Sequence, residues 1–430
     1  MNIVFDALWD RMIDKLKLWG LAAFLILVPL CYTGADDLRI FQMVVFVLAS
    51  MCYASLYFGN VWLTLFFLYN TALYCWSGGE YAKPELVNIF MGSVLFASSR
   101  WLFSRTQNIK VITNSLKIVC LVTISFMILQ VFSIDPLHLA KTSDGSTGWG
   151  ESFNLPVGMF ALAAANGAFL ALCIPFFIAE SWILGLALLI PIFYSRSAGC
   201  YLSTAVVLFY AIFFIRMVYF KWKIVYWLLA LAVIFGGILF VYKDYSGDKL
   251  TGKSRFENWH LFFKAGLASP VFGYGPASFG NLNEKKNFFF KADEDYNPAL
   301  LEVNKDLQIF KYHSADEGKR KSRFDGRIPK SIGHWNEAHN EYLQLFVERG
   351  ILGCLIILAL FYEVWRRFRI SMESKEVRIL FGAILVYAVV SITQFPFHLA
   401  RNALFLPVIL GAFFAFTDRD FQTFIKGEPA

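Results

Sequence analysis

A chain of 430 residues that is 57% hydrophobic and 18% aromatic, with a mean hydropathy of +0.54, carries more apolar surface than a soluble core of this length can hide. A water-soluble globule is excluded, and lipid is the expected solvent. The formal net charge of +7 is modest, and no long basic stripe with interleaved aromatics lies outside membrane-flanking positions, so nucleic acid is not an expected partner.

A spanning helix needs about 20 mostly apolar residues. Stretches of this kind lie near 16–32, 39–57, 61–77, 85–103, 115–133, 157–178, 181–194, 198–218, 223–242, 341–365, 376–393 and 399–416, which gives about twelve transmembrane helices. Backbone groups in lipid must be bonded internally, so helices rather than open strands follow. The expected fold is all-α: a polytopic integral membrane protein in which residues 1–430 form a single transmembrane domain. A long loop over 243–337, containing short amphipathic helices, is inserted between spans 9 and 10. Met1 to Trp19 reads as an amphipathic approach to the first span rather than as a cleaved leader.

Lysine and arginine in the short connections orient the chain. Arg11, Lys15 and Lys17, then Arg105 and Lys110, then Arg216, Lys221 and Lys223, then Arg366, Arg367, Arg369, Lys375 and Arg378 mark the cytoplasmic side. Asp36, Asp37, Glu80, Asp135, Asp144 and Glu151 mark the other. Both termini are therefore expected inside. All 6 histidines then fall in outward segments, together with the long basic loop. The 7 cysteines lie in or beside apolar runs, with no disulfide framework and no metal-ligand spacing, so neither a cofactor nor a metal is expected.

Within the loop, Ser254 and Glu257 have capping-box spacing ahead of Phe256, Trp259, Phe263 and Leu267, which recur at helical intervals. This predicts a short amphipathic helix at the bilayer surface, stopped by Pro270. Gly273, Tyr274, Gly275 and Pro276 then form a tight turn where backbone approaches another group closely. The polar run 281–330 has no periodicity and reads either as a flap or as an insertion. Helix is expected to resume over 336–344, placing His339 on a face with Tyr342, Leu343 and Phe346. Gly350 and Gly353 allow a bend or close packing beyond it.

Three residues at the outer interface could carry chemistry. Arg196 sits in the break Ser195–Gly199 between two apolar runs, where a charge at bilayer depth costs about 2.5–3.5 kcal/mol and so faces protein, water or a ligand; snorkelling to lipid phosphate is the alternative. Arg255 opens the amphipathic helix, where a wet-face arginine is the plain alternative. His339 is flanked by Glu337, Asn340 and Glu341 and can accept a proton near neutral pH. Metal spacing, a serine triad, a phosphate-cradling glycine loop and paired carboxylates are absent. Two guanidinium groups able to grip a diphosphate and one imidazole base suit displacement of a diphosphate leaving group by a hydroxyl.

The run His339, Asn340, Glu341, Tyr342, Leu343, Gln344, followed by Glu348, Gly350 and Gly353, resembles the signature of the O-antigen ligase and O-antigen polymerase superfamily of bacterial membrane glycosyltransferases. The Ser195–Gly199 run resembles it too, as does the order Arg255, Trp259, Pro270, Gly273, Gly275, Pro276. The likeness covers Ser195 to about Phe416.

That resemblance implies metal-independent, inverting transfer of a glycan from an undecaprenyl diphosphate carrier to an acceptor hydroxyl at the periplasmic face of the bacterial inner membrane. His339 would be the general base, and Arg196 and Arg255 the diphosphate grips. Asn340, Glu341, Trp259, Tyr274 and His398 would line the same cavity. A lipid A core acceptor makes the protein a ligase, a second lipid-linked glycan a polymerase, and a protein hydroxyl an oligosaccharyltransferase; ordinary family length favours the ligase. A transporter or flippase is the reading from another class, and it predicts an internal repeat and mid-membrane charges that the sequence does not display.

Overall fold

The structure is a computed structural model and describes residues 14–23, 25–26, 59–77, 82–132, 134, 159, 163–195, 197–215, 259, 262–264, 266–276, 340–392, 403 and 405–426. The spans expected near 39–57 and 223–242, the capping box at Ser254 and the polar run 281–330 lie outside these residues.

Among the described residues the regular structure is helical. In chain order the helices are α1 (Val61–Ser77), α2 (Ala82–Thr106), α3 (Lys110–Val131), α4 (Ala163–Glu180), α5 (Trp182–Ala187), α6 (Leu189–Phe193), α7 (Ala198–Tyr210, continued by a wider turn over Ala211–Ile215), α8 (Glu341–Ile370), α9 (Lys375–Val390) and α10 (Phe405–Lys426). Residues 14–23 and 25–26 are helical as well. Glu85–Thr106, Lys110–Val131 and Glu341–Ile370 are long and apolar enough to cross a membrane, while Val61–Trp76, Ala164–Glu180, Trp182–Phe193 and Gly199–Ile215 are shorter apolar helices. Among the described residues, helix thus stands at ten of the expected span positions: the first in part, the third to eighth and the tenth to twelfth.

Local chemistry sets the ends. The Asn340 side chain accepts from the Leu343 N–H at 3.0 Å and caps α8, whose last turn carries Arg367 and Arg369 against the carbonyl end of the helix dipole. Ser374 caps α9 in the same way, accepting from the Val377 N–H at 3.3 Å. The expected helical run through 336–344 needs correction: Asn340 is extended (φ −156, ψ 106) and the helix begins only after it. The shared face expected between position 339 and Tyr342 is therefore not supplied by one continuous helix.

Helix directions follow from paired contacts. Asn60 donates to Glu363 at 2.9 Å while Asn70 accepts from Arg349 at 2.7 Å, so α1 and α8 run antiparallel. The packing of α2 and α10 is parallel and close, since a Cβ at Gly411 would come within 2.4 Å of the Phe96 carbonyl oxygen. At one end of the bundle Asp418 accepts from Arg100 Nε and Nη2 and from Arg367 Nη1, each at 2.8 Å. This cluster lies beside the turn that carries the cytoplasmic arginines Arg366, Arg367 and Arg369 in the sequence-based orientation.

Candidate functional site

Three helix ends meet at the other end of the bundle, and their register can be read from two crossings. The Tyr210 hydroxyl at the close of α7 donates to the Arg378 carbonyl in the first turn of α9 at 2.8 Å. The two helices pack antiparallel, so thirteen residues back along α7 and thirteen forward along α9, each about 20 Å at 1.5 Å per residue, bring Ser197 level with Ser391. The second crossing is α4 on α9, where a Cβ at Gly382 would meet the Pro175 Cβ at 3.3 Å. Nine residues along each antiparallel helix from that point put Asn166 at the same level.

Close packing holds these ends together. A Cβ at Gly167 would come within 2.5 Å of the Ser195 Cβ and 2.9 Å of the Cys200 Sγ, so this position needs glycine to seat the turn before α7. The Cys200 thiol donates to the Ala164 carbonyl at 3.3 Å. Ser197 is extended (φ −111, ψ 119) and opens α7, which confirms the sharp turn expected in the Ser195–Gly199 run. Ser195, Ser197 and Asn166 are all buried.

The start of α8 joins this level directly. The Glu341 N–H donates to the Ser391 carbonyl at 2.9 Å, and the Tyr342 hydroxyl donates to the Ala388 carbonyl at 2.7 Å. Glu341 is 7% exposed and Ser391 1% exposed, so the two residues seal the joint between α8 and α9. The Ser391 Oγ is buried and has no hydrogen-bond partner among the described residues.

The long loop reaches the same helix from outside. Residues 259, 262–264 and 266–268 are helical, as the periodicity predicts. Phe263 and Phe346 have ring centroids 5.8 Å apart, and a Cβ at Gly266 would lie 2.5 Å from the Phe346 ring. The chain then turns at Pro270 and inserts into a break in α8. There Gly350 departs from helical geometry (φ 60, ψ −166). The Ile351 N–H donates to the Pro270 carbonyl at 2.7 Å and the Leu352 N–H to that of Val271 at 3.3 Å; the Tyr274 N–H donates to Val347 at 3.1 Å and the Gly275 N–H to Glu348 at 2.8 Å. A broken helix in lipid would leave these carbonyls and amides unmet at several kcal/mol each, and the turn supplies their partners.

A buried polar network backs the break. Arg349, 4% exposed, donates to Asn70 Oδ1 at 2.7 Å, to Glu348 Oε2 at 2.7 Å and to Glu85, and its guanidinium lies 5.6 Å from the Phe66 ring. Gln344 donates to Glu348 Oε1 at 3.2 Å. Sequence reasoning passed over Asn70, Glu85 and Arg349; a charge inside an apolar run signals that some partner is needed but not which residue supplies it.

Among the expected site residues, Asn340 and Glu341 stand at the head of α8 and Tyr274 in the interlocked turn, where it is half-buried; Trp259 is also half-buried in the loop helix. Arg196, Arg255, His339 and His398 lie outside the described residues. Arg196 falls between Ser195 and Ser197, and His339 precedes the Asn340 cap, so their immediate chain neighbours meet at one level.

No curated protein matches the chain. A family model described as O-Antigen ligase matches residues 182–306, a segment that includes Arg196, Arg255, Trp259 and Tyr274 and ends before His339. Over that segment the chain is similar to the O-antigen ligase family.

Proposed function

We propose that the protein transfers a glycan from undecaprenyl diphosphate to an acceptor hydroxyl at the periplasmic face of the inner membrane, as an O-antigen ligase whose acceptor is the lipid A core. The observation that carries this reading is the common level of Ser197, Ser391 and Glu341, because Arg196 and His339 are adjacent in sequence to that joint. The family match over 182–306 supports the reaction type.

In this reading Arg196 and Arg255 hold the two phosphates of the donor through planar, charge-assisted bonds. His339 takes the proton from the acceptor hydroxyl. The acceptor oxygen forms a bond to the anomeric carbon from the face opposite the diphosphate, the carbon–oxygen bond to phosphate breaks, and the lipid diphosphate departs with the bonding pair. The sugar is inverted. Charge developing on the leaving group is met by guanidinium groups already in place, which is often the largest single contribution to rate. Asn340, Glu341, Trp259, Tyr274 and His398 line the cavity.

The test is incubation of purified protein with a lipid-diphosphate glycan and, separately, lipid A core, a second lipid-linked glycan or a protein acceptor, with EDTA present. Glycosylated lipid A core is the expected product. A lengthened lipid-linked glycan would make the protein a polymerase. Uptake of donor into proteoliposomes with no covalent product would replace the enzyme by a transporter.

A further inference from the structure

The interlock between the outer loop and α8 is built so that two backbones touch. Gly273 has φ +69, and a Cβ there would lie 2.3 Å from the Glu348 carbonyl carbon. Gly350 has φ +60, and its Cβ would lie 2.3 Å from the Val271 carbonyl oxygen. Left-handed backbone and absent space each demand glycine, and here both demands fall on both partners. With no side chain between them and four backbone hydrogen bonds across them, the turn has one register against the helix. The same turn holds itself rigid: the Ser269 hydroxyl donates to the Gly273 carbonyl at 2.8 Å, and the Gly273 N–H donates to the Ser269 carbonyl at 3.0 Å.

A side chain from a third element closes the joint. The Tyr69 hydroxyl on α1 lies 2.7 Å from the Arg349 carbonyl oxygen and 3.3 Å from the Phe272 carbonyl oxygen. Its single proton goes to the nearer and is shared with the farther, so one group touches both sides of the interlock. The neighbouring Asn70 holds the Arg349 side chain from the same helix. Tyr69 and Asn70 therefore fix the break in α8 to α1 at the point where the loop enters.

We infer that this interlock is the fulcrum that sets the separation of the two arms of the active site, and that Tyr69 is its positioning residue. The inference rests on the glycosyl-transfer reading. One arm runs back from Gly273 through the helical residues 259, 262–264 and 266–268, which Arg255 precedes in sequence, and the other runs back from Gly350 along α8 to the Asn340 cap, which His339 precedes in sequence. A reactive constellation has to be held within about 0.5 Å of its productive geometry, which a long free loop does not supply. Anchoring the loop at a backbone-to-backbone joint about two to three turns below the head of α8 does.

The test uses the full-length protein in detergent, with a lipid-diphosphate glycan and an acceptor, and compares Tyr69→Phe with Tyr362→Phe, an exposed tyrosine far from the joint. Tyr69→Phe is expected to lower kcat about 10-fold or more while KM for the donor stays within about twofold, because a small misplacement weakens the transition state rather than donor binding. Tyr362→Phe is expected to match wild type.

Amide exchange supplies a readout independent of activity: Tyr274, Gly275, Ile351 and Leu352 are expected to exchange slowly in wild type and faster in Tyr69→Phe and in Gly350→Ala. Wild-type kcat in Tyr69→Phe, or exchange at these amides that neither variant accelerates, overturns the inference. Wild-type protein that transfers nothing to any acceptor overturns the functional reading instead, while slow exchange in that same protein still establishes the interlock.

Discussion

The Tyr210 hydroxyl donates to the Arg378 carbonyl at 2.8 Å across two antiparallel helices, and this crossing fixes the level at which α7 begins and α9 ends. Side-chain volume at the crossing matters more than the bond itself. A Cβ at Gly382 would come 3.0 and 3.2 Å from the Tyr210 ring and 3.3 Å from Pro175.

Gly382→Val is therefore expected to cost about 1–3 kcal/mol by overpacking and to lower transfer by tilting the site. Tyr210→Phe loses only an interhelical hydrogen bond, worth about 0.6 kcal/mol in a membrane protein. Thermal unfolding in detergent separates the two. Equal losses of Tm would mean that the register is held elsewhere.

Loss of the Arg349 side chain is expected to destabilise the fold strongly. That side chain is 5% exposed and meets Glu348, whose side chain is fully buried, and Glu85. Arg349→Met leaves two carboxylates facing each other without their cation, a change that costs about 3–5 kcal/mol at a buried pair. Glu85→Gln keeps an acceptor oxygen for the guanidinium and should cost less. The check is the yield and unfolding temperature of each variant, and a Glu85→Gln variant less stable than Arg349→Met would reverse this ranking.

Much of the architecture was legible because lipid imposes a length and a composition on every span. The third and fourth spans were read at 61–77 and 85–103, and helices stand at Val61–Ser77 and Ala82–Thr106. Glycine was legible too: a tight turn was expected at Gly273, and either a bend or close packing at Gly350 and Gly353, of which Gly350 takes the bend. What the sequence did not disclose is that these two features fit one another, because a backbone-to-backbone joint between residues 77 positions apart leaves no pattern of residue types. The start of α8 was misplaced for a related reason. A run without proline or glycine reads as continuous helix until a capping side chain, here Asn340, takes the backbone out of it. Arg349 escaped notice because an arginine in an apolar run gives no hint of whether a partner lies on another span.

His339→Ala is expected to abolish transfer while leaving the unfolding temperature unchanged, since position 339 lies ahead of the Asn340 cap and outside α8. The pH dependence has a definite sign. A general base works in its neutral form, so kcat/KM should fall about tenfold per pH unit below the ordinary imidazole pKa of about 6.5 and level off above it. A well-folded His339→Ala protein with normal turnover refutes the role.

Replacing a guanidinium by an ammonium tests the diphosphate grips. Arg196→Lys and Arg255→Lys keep the charge and lose the planar fork, and a hydrogen bond to a charged group is worth about 1.5–3 kcal/mol, or roughly 10- to 100-fold in rate. Steady-state kinetics on each variant measure this. Lysine variants as active as wild type would show that charge alone is needed, as for an arginine that merely meets lipid headgroups.

The cluster at the opposite end of the bundle should affect stability without touching chemistry. Asp418 accepts from Arg100 and Arg367, Arg367 also donates to Glu363 at 2.9 Å, and its guanidinium lies 4.2 Å from the rings of both Phe414 and Phe421. Two cations and two anions thus tie α2, α8 and α10 together. Asp418→Asn leaves two guanidinium groups against one carboxylate. Because the Asp418 side chain keeps 19% of its exposure, the expected cost is about 1–3 kcal/mol, below that of a fully buried pair. Arg367 stands roughly 40 Å along α8 from Asn340 at 1.5 Å per residue, so the folded fraction of Asp418→Asn should turn over at the wild-type rate. Unfolding in detergent, with activity normalised to folded protein, gives both quantities. A fall in turnover with no loss of stability would place this end of the bundle in the reaction and contradict the separation of the two clusters.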